Sequence, residues 1–357
     1  MSHAARTARL QASLAENELQ ALLVTDLTNV LYLSGFAGSN GQLFVTSDRV
    51  VLLTDPRYAA RAGTLVSDAE ISIYETRLRD GLTPLLAEQK RVGIEATSMT
   101  VADKADLAGA FPDVELVDTR ALTEELRRTK DEDEIAHIRE AVRVADETFS
   151  WVLDRIEPGR AERDIALDLE VHMRSLGADA PSFEPIVGSG PLSAHIHHSP
   201  SDRALELGDL VLLDFGARWN GYCSDLTRTV VLGSATDEQR AQYDLVARAH
   251  AAGVAAVMPG AGGRDVDAQA RAVIDEAGRG AEFGHGLGHG VGLDIHEAPR
   301  LHKTSEDTLK VNEVVTVEPG VYIVDSGGVR IEDCVLVTET GAEVLGKAPR
   351  DGLLEMN

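Results

Sequence analysis

The sequence predicts two domains: a smaller α/β domain followed by a larger α+β body. Three observations carry this. The chain has 357 residues, and domains average roughly 150 residues. Its N-terminal part interleaves short β-rich runs with helical patterns, as small α/β domains do. The remainder carries long amphipathic helices and two strand pairs that resemble each other.

Residues 4–20 predict a helix, and β-rich runs follow at Ala21–Thr25, Leu43–Thr46, Val50–Thr54, Glu70–Tyr74 and Val92–Glu95. Ser34, Gly35, Gly38, Ser39 and Gly41 mark a loop between the first two runs. Acids are scattered here, and His3 is the only histidine before His137. The charged run from Arg127 to Glu134 opens the longest amphipathic helix and reads as a solvated helix start, its acids near the positive end of the dipole. Ile135, Ile138, Val142, Ala145, Phe149, Val152 and Ile156 recur on one face, and Pro158-Gly159 ends the pattern. The domain boundary is expected near residue 128, giving domains 1–128 and 129–357. Further helices are expected over 161–176, over 237–257 behind a Thr236…Gln239 capping box, and over 265–277 before Gly278.

The two strand pairs read as a degenerate internal duplication. The first runs Leu210–Gly216, turns through glycine and tyrosine, and returns as Asp225–Val231. The second runs Val314–Gly320, turns at Gly327-Gly328, and returns as Arg330–Leu336. Each places an acid at the end of an apolar strand (Asp214, Glu318), a glycine two residues later, and another acid in the returning arm (Asp225, Glu332).

Composition excludes several classes of function. Lys plus Arg number 34 against 59 Asp plus Glu, a net charge of −25, so no cationic excess exists to track nucleic-acid phosphates. With 43% apolar and 26% charged residues, the chain can build a core and is not disordered. No uncharged run approaches the ~18 residues needed to cross a bilayer, and the first residues do not read as a secretory signal. Two cysteines make no disulfide framework. A cytoplasmic protein without nucleic-acid or membrane partners is expected.

Acids inside apolar strands are costly, because a buried unpaired carboxylate loses several kcal/mol of hydration. For one of them a salt bridge to Arg228 or Arg330 would suffice. Four in a repeated pattern call for shared positive charge, which divalent metals supply best. Eight of the 11 histidines, His195, His197, His198, His250, His285, His289, His296 and His302, fall in the same half of the chain. The glycines between His285 and His289 argue against a zincin helix, and Pro299 follows His296-Glu297, so HExxH is absent. P-loop, dinucleotide-binding and GxSxG patterns are absent as well. What remains is an oxygen-rich site with at least one imidazole, able to hold two metals and to hydrolyse an amide.

Several motifs then match one family in order. Asp214-Phe215-Gly216, the run Gly221–Thr229, the glycine-histidine run Gly284–Gly292, His296-Glu297, Glu318-Pro319-Gly320 and the run Gly328–Asp333 resemble the Xaa-Pro peptidases. These are the aminopeptidase P and prolidase branch of the pita-bread metallopeptidases. The segments Tyr32–Gly41 and Thr54–Tyr58 resemble the creatinase-type N-terminal domain, more as aminopeptidase P has it than prolidase. The resemblance implies a pita-bread domain with pseudo-twofold duplication behind a creatinase-like α/β domain. It implies two divalent ions, manganese first and cobalt or zinc as substitutes, held by Asp214, Asp225, His289, Glu318 and Glu332. In that pattern Asp225 and Glu332 bridge, Glu318 is also the general base, and His296 meets the scissile carbonyl or shuttles a proton. His285 supports the metal shell, and His197, or His198 in its place, approaches the proline side of the substrate. Arg330 orients acids and Phe183 lines the pocket. Cys223 and Cys334 lie two residues from Asp225 and Glu332, where buried packing is expected and a sulfur ligand or disulfide is the alternative. The leading expectation is a homodimeric Xaa-Pro aminopeptidase acting on peptides with proline second. Prolidase is the alternative, and a non-enzymatic or metal-free creatinase-like protein the remote one.

Overall fold

Ala21–Val24, buried at every residue, is an inner strand of a six-stranded sheet. It runs antiparallel to Gln42–Thr46 on one side and parallel to Arg91–Glu95 on the other. The strand order is Glu70–Ile73, Val50–Thr54, Gln42–Thr46, Ala21–Val24, Arg91–Glu95, Glu115–Thr119. Leu23, Phe44, Leu53 and Ile94 from these strands pack with Leu82 and Leu107 from two helices, Leu78–Leu86 and Val101–Ala110. This computed structural model describes residues 1–356. The chain divides into two compact units, one over Met1–Arg127 and one from Arg128 onward.

The first unit differs from the sequence reading in two places. Its last strand, Glu115–Thr119, went unseen because an edge strand needs little apolar character, and this one keeps both acids exposed. The first helix covers His3–Glu16 rather than reaching residue 20. Glu18 takes a left-handed conformation, φ 55°, that turns the chain into the first strand.

In the second unit, Asp131 caps the helix Glu132–Val152 and forms a capping box with Glu134. The basic part of the preceding run is not solvated, contrary to expectation. Arg128 and Lys130 are buried at 6% and 2% exposure. Arg128 donates to Glu313 at 3.0 Å, and Lys130 donates to Glu297 at 2.5 Å. Sequence-local reasoning had no access to these acids, which lie more than a hundred residues away in the chain. The helices Glu162–Ser175, Asp237–Ala256 and Gly263–Glu276 follow.

The duplication is visible in the order of elements. Each half has two helices followed by a long antiparallel hairpin: Leu210–Phe215 with Leu226–Leu232, then Val314–Val317 with Asp333–Thr338. The first hairpin lies in a four-stranded sheet and the second in a five-stranded one. A bridge from Thr227 to Glu332 joins the two. Each ribbon breaks partway and continues into a smaller sheet, Ala217–Trp219 with Tyr222–Cys223, and Gly320–Ile323 with Gly327–Arg330. At the first break the strands cross so closely that a Cβ on Gly216 would lie 1.8 Å from the Ser224 carbonyl oxygen. Only glycine permits that crossing. No helix among the described residues is long and apolar enough to cross a membrane.

Replacing Lys130 with methionine would leave the largely buried Glu297 carboxylate without its ammonium partner. Breaking such a pair costs about 3–5 kcal/mol, whereas Arg139→Ala, which removes a half-exposed pair with Glu343, should cost under about 1 kcal/mol. Urea denaturation of the two variants should therefore give a large drop in midpoint for K130M and almost none for R139A.

Candidate metal centre

The ribbon breaks place the acids. Asp225 immediately precedes Leu226–Leu232, Glu318 immediately follows Val314–Val317, and Glu332 immediately precedes Asp333–Thr338. Asp214 is the penultimate residue of Leu210–Phe215. At these points the chain leaves one sheet for another, so carboxylates project inward where an unbroken strand would pack an apolar side chain. His289 joins them from the short strand Gly288–Gly290, which pairs with Val314–Val317.

Asp225, His289 and Glu332 each offer a ligand atom, all within 4.8 Å of one another. His289 Nε2 lies 3.6 Å from Asp225 Oδ2 and 3.4 Å from Glu318 Oε1. Nδ1 of this ring is 3.0 Å from the Gly290 carbonyl oxygen. A carbonyl only accepts, so Nδ1 carries the proton and Nε2 turns a lone pair toward the acids. Burial holds the His289 pKa down at about 4, and the imidazole is neutral at physiological pH. Lone pairs from three residues therefore converge, an arrangement that demands a cation or added protons between them.

Without a cation, protons fill the role. Burial, reinforced by the charges of Glu332, Asp214 and Glu318, pushes the Asp225 carboxyl well above the usual carboxylate range. Burial does the same to Glu332, with Glu318 and Asp214 adding to it, and lifts Glu318 to about 8. Oδ1 of Asp214 and Oδ1 of Asp225 are buried with no hydrogen-bond partner. Arg330 is the guanidinium that reaches in, and it pairs with Asp214 through the other carboxylate oxygen. Arg228 turns away to Asp333, at 2.8 Å, and to the carbonyls of Ala348 and Pro349.

Around the acids runs a supporting set in which sequence reasoning named Arg330 and His285 but missed Thr227, Thr316 and Tyr322. Thr227 donates to Glu332 at 2.6 Å and Thr316 to Glu318 at 3.2 Å. Each lies two residues from an acid of its own ribbon, Thr227 after Asp225 and Thr316 before Glu318. That spacing puts a side chain on the same face of a strand, so it was a usable signal. Arg330 Nη1 donates to the Tyr322 hydroxyl at 2.9 Å, which in turn lies 2.8 Å from His285 Nε2. His285 Nδ1 is 2.8 Å from the Gly286 carbonyl oxygen, so Nε2 accepts from the tyrosine. Burial lowers the His285 pKa to about 4 and raises that of Tyr322 to about 12. Both ring nitrogens of His285 are thus engaged, and the residue stands behind the acids, 4.0 Å from Glu318.

The remaining expected residues divide. His296 packs edge-on against His289, with ring centres 4.4 Å apart. His197 is exposed, and a charge on it would lower the proton affinity of both His285 and His296. His198 is committed elsewhere, 2.7 Å from Glu162, a fully buried carboxylate that also accepts from Ser189 and Ser201. Phe183 is half-buried between Ala180–Pro181 and Ile186–Ser189. Within the histidine-rich stretch, His250 lies 3.1 Å from Asp333, and His302 contacts Thr304. Both cysteines are buried and free, and the Cys334 sulfur is 3.3 Å from the Asp225 amide nitrogen.

Residues 136–339 match the family described as metallopeptidase family M24, and residues 6–129 match the creatinase/prolidase N-terminal domain. The chain belongs to metallopeptidase family M24. It combines a creatinase-type N-terminal domain with the pita-bread domain of this family. The chain is 35% identical over 347 residues to a Xaa-Pro dipeptidase of Pyrococcus furiosus, covering 97% of this chain and 99% of that one. Among solved structures, a Xaa-Pro dipeptidase from Bacillus anthracis superposes with a TM-score of 0.96 at 37% identity, covering 99% of this chain and 100% of that one. An X-Pro aminopeptidase from Thermotoga maritima gives 0.91 at 32% identity, covering 98% and 99%.

The donor set fits the divalent metals of an M24 enzyme. Hard oxygen ligands, a neutral imidazole with an outward lone pair, and buried carboxylate oxygens with no partner are what such ions require. A stability signature follows for the metal-free protein. Glu318 titrates at about 8 when folded, against 4.5 as its ordinary value. Between these pH values the folded state holds a proton that the unfolded state has lost, so stability falls as pH rises through the window. Thermal melts in chelator should show a lower midpoint at pH 8 than at pH 5.5. Added divalent metal should raise the midpoint more at pH 8, and Glu318→Gln should flatten the metal-free slope.

Proposed function

We propose that this protein is a dinuclear-metal Xaa-Pro dipeptidase, hydrolysing the bond between an N-terminal residue and a C-terminal proline. The observation that carries this reading is the nearly full-length similarity to proteins named Xaa-Pro dipeptidase. It reverses the order expected from the N-terminal motifs. Xaa-Pro aminopeptidase is the second reading, favoured by the similarity to the Thermotoga maritima protein.

In this reading Asp214, Asp225, His289, Glu318 and Glu332 would hold the two metals, with Asp225 and Glu332 serving both. Oxygen-rich coordination favours manganese, with cobalt or zinc as substitutes. When bound, the two cations supply Lewis acidity to a water and to the scissile carbonyl. Glu318 takes the proton of the attacking water, as its new C–O bond forms, and delivers it to the departing proline nitrogen as the C–N bond breaks. Like any amide nitrogen, that nitrogen leaves as a neutral amine only with a delivered proton; in an Xaa-Pro bond it also carries a ring and no N–H. His296 donates to the carbonyl oxygen. His197 contacts the proline side, whereas His198 serves the fold through Glu162. Arg330, held by Tyr322, keeps Asp214 oriented, and Phe183 borders the substrate.

Substrate preference and three substitutions test the proposal. Manganese-loaded protein should cleave Ala-Pro faster than Ala-Pro-Ala, while the opposite preference would establish the aminopeptidase reading and cleavage of neither would overturn both. Glu318→Gln should lower kcat by about 10²–10⁴, the usual worth of a positioned acid–base group. His197→Ala should reduce turnover with little change in melting temperature, and His198→Ala should chiefly lower the melting temperature.

A further inference from the structure

The N-terminal unit contains a cavity of about 400 Å³ whose lining includes Gln42, Arg77, Arg79, Asp103, Asp106 and Leu107. It opens at the carboxyl ends of Ala21–Val24 and Arg91–Glu95, where Thr25 and Ser98 sit. The sheet changes character there, because Ala21–Val24 has a parallel neighbour on one side and an antiparallel one on the other. The crevice beyond the carboxyl ends of strands is where open α/β sheets take their ligands. The cavity's volume falls within the range of small-molecule sites.

Its walls carry opposite charges. Arg77 and Arg79 stand at the start of the helix Leu78–Leu86, whose amino end adds positive potential. Asp103, Asp106 and Leu107 share one face of the helix Val101–Ala110, at the three- and four-residue spacing of a helix. The arginines and these aspartates form no ion pair with one another, and Arg79 has only a loose contact with Asp80, at 3.8 Å. Leu78, Met99 and Leu107 supply an apolar floor that continues into the core. Gln42 Oε1 is buried without a hydrogen-bond partner. Below, Glu95 fixes the rim by accepting from the backbone of Thr25 at 2.6 Å and of Asp26 at 2.7 Å. The rim is therefore rigid; of the charges above it, Asp103 accepts from the Thr100 hydroxyl at 2.6 Å through one oxygen and keeps its other for a ligand, and Arg79 makes the loose contact with Asp80.

We infer that this cavity binds a small zwitterion with an apolar side chain, a free amino acid or a short peptide. Its carboxylate meets Arg77 and Arg79, its ammonium meets Asp103 and Asp106, and its side chain rests on Leu78, Met99 and Leu107. This inference is independent of the peptidase reading, because the cavity is built wholly from residues of the first unit.

The test is equilibrium dialysis of the full-length, metal-loaded protein against radiolabelled L-leucine and, separately, labelled Leu-Leu. Comparison of the two probes tells whether the amino acid or the peptide is the better occupant. One saturable site is expected to persist in Asp225→Asn, which disables the metal centre. That site should weaken at least tenfold in Arg77→Ala/Arg79→Ala and in Asp103→Asn/Asp106→Asn. These exposed substitutions should leave circular dichroism and peptide cleavage unchanged. N-acetyl-leucine and leucinamide, each lacking one charge, should compete at least tenfold more weakly than leucine. Equal competition by the capped compounds, binding insensitive to the four substitutions, or no saturable binding of either probe would overturn the inference.

Discussion

Mutual repulsion among buried carboxylates is the constraint around which this molecule is built. Asp214, Asp225, Glu318 and Glu332 share a volume from which water is largely excluded, and a single guanidinium reaches in to offset them. Such a cluster is stable only if something positive occupies its centre, whether protons or metal ions. The surrounding groups are arranged accordingly. Thr227 and Thr316 each donate to one carboxylate oxygen, and the tautomer of His289 is fixed by a backbone carbonyl. Arg330 is kept in place by Tyr322, which is itself anchored by His285.

The hydrophobic cores supply the rigidity this demands. Val211, Leu213 and Val230 lie in the core of the first half, and Val315, Val317 and Val335 in that of the second. The acids stand at the ends of those same strands, so packing on either side of each ribbon fixes where its carboxylate points. The breaks at Gly216 and Pro319 free the backbone from the ladder just where a polar side chain must turn inward.

Much of this was legible in the sequence, for reasons that differ by element. The four acids stood out because each interrupts an apolar run at matching places in two similar hairpins. His289 stood out because of the glycines around it. The capping box at Thr236 appears where the sequence put it, since capping is a local interaction. What escaped was non-local. Arg128 and Lys130 looked like solvent-facing charges because Glu313 and Glu297 come together with them only in the fold. His197 and His198 are adjacent and chemically identical, and what separates them is the distant Glu162. Tyr322 offered no pattern of its own, because its importance comes from lying between Arg330 and His285.

The bridge between Thr227 and Glu332 has an evolutionary and practical corollary. Each half of the larger unit owns two of the four carboxylates, Asp214 and Asp225 before the helix Asp237–Ala256, Glu318 and Glu332 after it. Neither half alone encloses the centre. If the backbone were severed in the short connection between Leu232 and Asp237, the fragments would bring the four carboxylates together again only by reassociating. On the metal-centre reading proposed above, ion capture would then report complementation, and this connection is a natural place to divide the protein into a split reporter.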